Sequence, residues 1–401
     1  MSPIEIRTPT EDDLPALTRL DERAFGEQWN DESLALFRPV CDLTRFRIAC
    51  DGAEVIGAAG SYAQELTVPG GHQVRAGGVT WVSVAPTHRR RGLLRRLMVA
   101  THDDIAARGE PLALLTASEG GIYERFGYGV ATRSRLIEID RRRTQISPRF
   151  VPPGPPDGEP LRIVDPNDHL DQLVETFDRF RRQRVGEIDR SAAWERLRLH
   201  EFGKKTTAAL HPDGFAVWAV NSNWNDGHPE NELRLQDLVA VTPEAHAALW
   251  NLVLSIDLVG PIRCRQAVSL DDPLPFLLDD QRALRTTDLN DMLWVRPGDV
   301  RAAFAARTYG TDDSFVVEVA TGDDRQRWKI SGSPDGADVR KVRSKPHMST
   351  DQASLGALFL GGVLPSTLAA GRRLSASSAD VLRRADHFFG HDPLAHCSTG
   401  F

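Results

Sequence analysis

The densest chemistry in the sequence lies between Gly77 and Tyr128, GGVTWVSVAPTHRRRGLLRRLMVATHDDIAARGEPLALLTASEGGIYERFGY. Arg89-Arg90-Arg91-Gly92-Leu93-Leu94-Arg95 joins guanidinium groups, which make charge-assisted bonds to phosphate, to a glycine that lets a backbone come close to a ligand. If the run opens a helix, the unpaired N–H groups and the positive end of the macrodipole point the same way, and the ligand it suits is a pyrophosphate. A solvated basic turn has the same composition, so the flanking elements must decide between the two readings.

Val79, Trp81 and Ser83 alternate with Thr80, Val82 and Val84 in a β-rich run that Pro86 closes, so a strand is expected to stop at Val84 or Ala85. Leu93, Leu94, Leu97, Met98 and Ile105 then recur at helical spacing until Gly109, the pattern of a long helix that begins at the glycine. A basic loop between a strand and a helix favours the phosphate reading over the bland one.

With those elements in place the chain resembles the GNAT acetyltransferases, whose acetyl-coenzyme A signature is a strand, Arg/Gln-x-x-Gly-x-Gly/Ala and a helix. Arg89 and Gly92 match it, and Leu94 stands where a small residue is usual. VSVAPTHRRRGLLR together with ASEGGIYERFGYG, a length near 400 residues and a terminal phenylalanine resemble the Eis (enhanced intracellular survival) family of GNAT aminoglycoside N-acetyltransferases, and the resemblance spans the chain. It implies acetyl-coenzyme A as cosubstrate, with no metal. Its cofactor-binding residues would be Val82, Ser83 and Val84 on the strand, Arg90, Arg91, Gly92, Leu93, Leu94 and Arg95 at the pyrophosphate, and Ser118 and Glu119 after the next strand.

Direct acetyl transfer to an amine needs a place for the carbonyl charge, a base for the amine proton and a proton for the departing thiolate. The resemblance makes Tyr123, in GGIY, the general acid; a phenol with a pKa near 10 holds a proton to give at neutral pH. It makes the C-terminal carboxylate of Phe401 the general base, acting through water, because a carboxyl of pKa about 3.5 is too weak to act unaided. Tyr128, between Gly127 and Gly129, reads as an aromatic plug in a tight turn. For a polycationic aminoglycoside acceptor, Glu27, Asp31 and Glu32 are the nearest acidic candidates, or else a solvated loop. The resemblance also implies a homo-oligomer, a hexamer, and a place in antibiotic resistance.

The bulk properties agree with a soluble enzyme of two to four domains. The 401 residues are 41% hydrophobic and 26% charged with a net charge of −7, which disfavours nucleic-acid binding. MSPIEIRTPTEDD has neither a positively charged start nor an apolar core, so no signal peptide is expected; no apolar run reaches the ~18 residues of a membrane span, and a reduced cytoplasmic protein is expected. Cys41, Cys50, Cys264 and Cys397 lack a CxxC spacing, so neither a zinc site nor a disulfide framework is expected.

Taken in order, the chain reads as α/β (α+β): two GNAT acetyltransferase-like domains in tandem, followed by a domain that the resemblance makes sterol-carrier-protein-like. The N-terminal GNAT domain spans residues 1–147, with a strand at Ile4–Ile6, a capped helix through Leu20, a hairpin from Arg45 to Leu66 and a last strand at Leu136–Asp140. PRFVPPGPPDGEP within 148–160 is a linker. Residues 161–295 echo the first domain: LRIVDPND repeats IEIRTPTE, and VAVTP repeats VSVAP, but Glu244-Ala245-His246 follows without arginine or glycine. That copy is expected to be degenerate and unable to bind coenzyme A. Residues 296–401 form an α+β unit with helices at Val300–Arg307, Ala353–Leu360 and Ala379–Phe389. Two other functions stand beside this reading: a protein lysine acetyltransferase, and a non-catalytic lipid-binding or scaffold protein in which the sterol-carrier-like domain carries the function and the cofactor loop is vestigial.

Overall fold

The computed structural model describes residues 4–26, 28–151, 161–203 and 205–401, with only the backbone at 265–267. It forms two compact units, Met1–Thr132 with Asp291–Ala395 and Gly400–Phe401, and Arg133–Asn290 with His396–Thr399.

In the first unit, β1 (Glu5–Arg7), α1 (Leu14–Phe25), α2 (Asp31–Phe37), β2 (Phe46–Asp51), β3 (Glu54–Thr67), β4 (Gln73–Val84), α3 (Leu93–Ala107), β5 (Leu112–Thr116) and β6 (Gly129–Val130) follow in order. The Thr10/Asp13 capping box opens the short turn ahead of α1, Gly26 at φ 77° ends that helix, and Leu14, Leu17 and Leu20 bury its inner face. The seven-stranded sheet runs β1-β2-β3-β4-β5, then Leu293–Pro297, then β6. Leu293–Pro297 lies antiparallel to β5, with Leu293 opposite Thr116 and Pro297 opposite Leu112.

That pairing corrects the expected last strand of the first domain. Arg133–Asp140 instead joins the second sheet, where Ile137 faces Cys264 and Ile139 faces Ile262 on Val259–Val268. Alternating Ile137 and Ile139, both buried, identify a strand but carry no information on which sheet edge receives it.

The second sheet runs Leu284–Asp291, Arg133–Asp140, Val259–Val268, Asn231–Ala240, Gly214–Asn221, Thr207–His211 and Arg162–Val164. Helix Pro243–Ser255 packs Leu249, Trp250, Val253 and Leu254 into its core beside Trp218 and Ile262. The proline-rich stretch begins with a short 3-10 turn at Pro148–Phe150, made possible by proline at its first position, which departs from the irregular linker expected there. Residues 152–160 of that linker lie outside the described residues.

Beyond Leu293–Pro297 the first unit carries a five-stranded sheet ordered Gly336–Lys341, Asp324–Ser333, Asp313–Thr321, Met348–Asp351 and Leu374–Ala376. Its core is aromatic: Tyr309 stacks on Phe388 at 4.2 Å, and Phe304 meets Phe359 edge-on at 5.1 Å. Helices Val300–Ala305, Gln352–Leu358 and Ala379–Phe389 fall where helical spacing places them.

Candidate active site

Two features of β4 open a site beside it. Parallel pairing with β5 covers only Ala76–Gly78 against Leu112–Leu114, although β4 continues to Val84 and β5 to Thr116. Past Gly78 the two strands part, and among the described residues the β5-facing edge of Val82, Ser83 and Val84 has no strand partner. Such backbone groups need a partner from elsewhere, and a ligand with an amide-bearing arm can supply it. The register of β3 on β4 also slips between Ala58 and Gly60, where Trp81 takes a φ of 54°. A bulge with a left-handed tryptophan re-aims the strand at this point.

The strand hands over to a 3-10 turn, Pro86–His88, and then to a loop with two left-handed residues, Arg90 at φ 63° and Gly92 at φ 75°. Gly92 is the N-cap of α3 and contributes no side-chain cap, so the first amides of the helix are left for another acceptor. A Cβ on Gly92 would meet nothing within 4 Å; the glycine is there for its backbone conformation. Leu93 is buried with Ile56, Ala59 and Leu97, and Leu94 packs against the cluster around Val79 and Met98. The leucine that departs from the usual signature is therefore turned into the core.

The basic side chains divide into two sets. His88 Nε2 lies 3.5 Å from the Asp51 carboxylate, and Arg96 donates to the Ile4 carbonyl at 3.0 Å. Arg89, Arg90, Arg91 and Arg95 are exposed and pair with no acid among the described residues. Four uncommitted guanidiniums around an uncapped helix terminus make a cradle that could hold a multiply charged phosphate group. Its counterpart in the second sheet is closed: Thr242 caps helix Pro243–Ser255 by accepting from the Ala245 N–H at 3.2 Å, and the first turn carries Glu244.

After β5, Ser118 and Glu119 are exposed, and Tyr123 precedes the turn Glu124–Phe126. Tyr123 is 6% exposed, and its hydroxyl meets no hydrogen-bond partner among the described residues. Burial raises its pKa, and the Glu119 charge raises it further, so the phenol keeps its proton. Tyr128 is fully buried, as expected of a plug, with its ring 6.2 Å from Tyr123 in an edge-on contact. Its hydroxyl lies 2.9 Å from Nε2 of His102, a residue the sequence reading missed. Burial, then the charge of Arg296, push His102 down to about 3, and burial pushes the Tyr128 phenol up. His102 is thus neutral and able to accept a hydrogen bond from the phenol at Nε2.

Phe401 reaches the same region. Thr116, the last residue of β5, donates from Oγ1 to the Phe401 oxygen at 2.7 Å and accepts from the Phe401 N–H at 3.3 Å. The Phe401 ring stands edge-on to Tyr62 at 6.5 Å, and Trp81 Nε1 donates to the Tyr62 hydroxyl at 3.2 Å. Gly78 leaves room first for the Gln64 side chain, whose Cδ would lie 2.7 Å from a Cβ there, and then for the ring, with Phe401 Cε2 at 3.0 Å. Neither Thr116 nor the Trp81 bulge was singled out from sequence; a threonine at the end of the strand leading to the tyrosine loop was the available signal.

Aromatic rings border this region. Trp81 stacks on Phe37 at 5.0 Å, and Trp29, 5.4 Å from Trp81, donates to buried Asp21 at 3.0 Å. Asp31 and Glu32 are exposed in the first turn of α2, where acids also favour the helix dipole, a helix that neither sequence alternative for these acids named. Glu27 lies outside the described residues.

Residues 5–131 and 186–301 each match a model described as Acetyltransferase (GNAT) domain, and residues 300–398 match one described as Sterol carrier protein domain. Fold and site thus define an acetyltransferase with two GNAT domains and a sterol-carrier-type domain. The chain is 36% identical to the N-acetyltransferase Eis of Mycobacterium tuberculosis, with 97% of each covered, and 37% identical to an uncharacterized N-acetyltransferase of Streptomyces coelicolor, with 94% of this chain and 95% of that protein covered. The structure of Eis1 from Mycobacterium abscessus superposes with a TM-score of 0.86 at 32% identity, covering 99% of this chain and 100% of that one. The protein belongs to the Eis family of N-acetyltransferases.

Proposed function

We propose that the protein transfers acetyl from acetyl-coenzyme A directly to amines of aminoglycosides or other polyamines, at one or several positions. The observation that carries this reading is the uncapped start of α3 at Gly92, ringed by Arg89, Arg90, Arg91 and Arg95 without acid partners and lying at the end of an unpaired strand edge. A coenzyme pyrophosphate suits the former, and the amides of its pantetheine arm suit Val82–Val84. Ser118 and Glu119 border the same groove at the end of β5.

Phe401, through its terminal carboxylate and an intervening water, takes the proton from the acceptor ammonium, and the neutral amine forms the new C–N bond as the C–S bond breaks. Tyr123 gives its proton to the departing thiolate and regains one from solvent. The Thr116 hydroxyl holds the Phe401 oxygen during this exchange. Aromatic faces at Trp29 and Trp81, with Asp21, Asp31 and Glu32, suit a cationic acceptor. In this reading the enzyme works in the cytoplasm as a homohexamer.

A thiol-release assay with acetyl-coenzyme A across aminoglycosides, simple polyamines and lysine peptides tests the reading. Turnover with aminoglycosides or polyamines is expected. Turnover confined to lysine peptides would replace it with protein acetylation, and no thiol release from any amine would overturn it.

A further inference from the structure

A cavity of 490 Å³ adjoins the turn that follows Tyr123, and its wall includes Glu124, Arg125, Arg296, Thr321, Asp351 and Arg373. The three guanidiniums are in different situations. Arg373 bridges Glu124 at 2.9 Å and Asp351 at 3.3 Å, which commits both carboxylates. Among the described residues Arg125 donates to the Ile122 carbonyl at 2.9 Å and pairs with no acid. Arg296 donates from Nε to the Phe126 carbonyl at 2.9 Å, and it too has no ion pair with any described acid.

Arg296 is the instructive group. Burial pulls its pKa below the usual guanidinium value, against smaller opposing effects of Tyr128 and Asp103. Its neighbours Tyr128 and His102 are both uncharged at neutral pH, since burial pushes the phenol up and the imidazole down to about 3. The positive charge is therefore largely removed from water with no ion-paired acid among the described residues, Asp103 acting only from a distance, and a mostly buried cation in that condition gains from an anion brought to it. The wall holds three arginines against two carboxylates, both already spent on Arg373.

We propose that this cavity is a binding site for a small oxyanion, a phosphate or carboxylate group, held between Arg296 and Arg125. Guanidinium forks suit that geometry. The site is separate from the α3 cradle, and it reaches the reaction through the Phe126 carbonyl, in the turn that begins at Tyr123.

The test is calorimetric titration of the full chain with inorganic phosphate in an Arg90→Ser/Arg91→Ser/Arg95→Ser background, which strips three of the four guanidiniums from the α3 loop and weakens phosphate binding there. One saturable site is expected there. Arg296→Met should weaken it about ten- to a hundredfold, the loss of one charge-assisted contact, and Arg296→Lys should restore part of it. Thr321→Glu, an exposed wall position, should abolish it by supplying a tethered carboxylate, and it decides the matter with Arg125→Ala if Arg296→Met fails to fold. Acetate that displaces phosphate at equal concentration marks a carboxylate ligand; phosphate that resists acetate marks a phosphate ester. Absence of a saturable site in the triple-serine background, or phosphate binding untouched by Thr321→Glu and Arg125→Ala, would overturn the proposal.

Discussion

Thr116 Oγ1 donates to the Phe401 oxygen at 2.7 Å, so the strand that leads to the tyrosine loop also fixes the other end of the proposed proton path. Thr116→Val keeps the shape and removes the donor. About ten- to a hundredfold lower kcat is expected, with Thr116→Ser recovering most of it. Steady-state kinetics in which the valine variant matches wild type would remove Thr116 from the mechanism.

The charge at Phe401 separates catalysis from packing. Semisynthetic amidation keeps the ring against Tyr62 and removes the carboxylate, whereas residues added after Phe401 move the carboxylate away. Turnover should be lost in both cases. An amidated chain with near-normal rates would show that the ring matters only for its burial, worth about 2 kcal/mol.

Tyr123→Phe keeps the edge-on contact with Tyr128 while deleting the proton. A fall in kcat of about 10²–10⁴, with coenzyme affinity unchanged, is expected from loss of a general acid. Because burial and Glu119 raise the Tyr123 pKa, the alkaline limb of the pH–rate profile should lie above that of a free phenol.

Gly92→Val places a β-branched residue at φ 75° with open space around it. The backbone penalty of about 1–2 kcal/mol falls on the loop, so the apparent constant for coenzyme should rise sharply while the fold survives. Calorimetry should count one coenzyme per chain, because Thr242 already caps the corresponding helix in the second sheet. Two coenzymes bound per chain would refute the closed-copy reading.

Two buried groups give pH dependences of opposite sign. His102 falls from an ordinary 6.5 to about 3 on folding, through burial first and Arg296 second, so its contribution is whole above 6.5 and is lost as pH drops from 6.5 toward 3. Glu187 rises from 4.5 to about 7, mainly through burial, so its contribution is whole below 4.5 and is lost as pH climbs from 4.5 toward 7. Thermal denaturation from pH 4 to 7 should show His102→Gln flattening the acid-side loss and Glu187→Gln flattening the neutral-side one. Unchanged slopes in both variants would contradict these assignments.

What sequence revealed tracks the range of the interactions. The arginine loop, Gly92 and the start of α3 are legible because helix-terminus chemistry is set within a few residues. Leu136–Asp140 was legible as a strand and misassigned to a sheet, since burial of Ile137 and Ile139 fixes a face and leaves the partner open. The Trp81 bulge left no trace, because a tryptophan at φ 54° is imposed by the register of β3 against β4. His102 reads locally as one polar position on a helix; only its approach to Tyr128 gives it meaning.

The pairing of β5 with Leu293–Pro297 and of Thr116 with Phe401 also sets an order in time. Thr116 and Phe401 are 285 residues apart, so at translation rates of about 5–20 residues per second the threonine waits roughly 14–57 s for its partner. During synthesis the loop at Gly92 and β5 itself emerge long before Leu293–Pro297, so β5 lacks its second neighbour for much of translation. A nascent chain therefore carries an open β5 edge, a ready template for a wrong strand, until Leu293–Pro297 emerges to cover it.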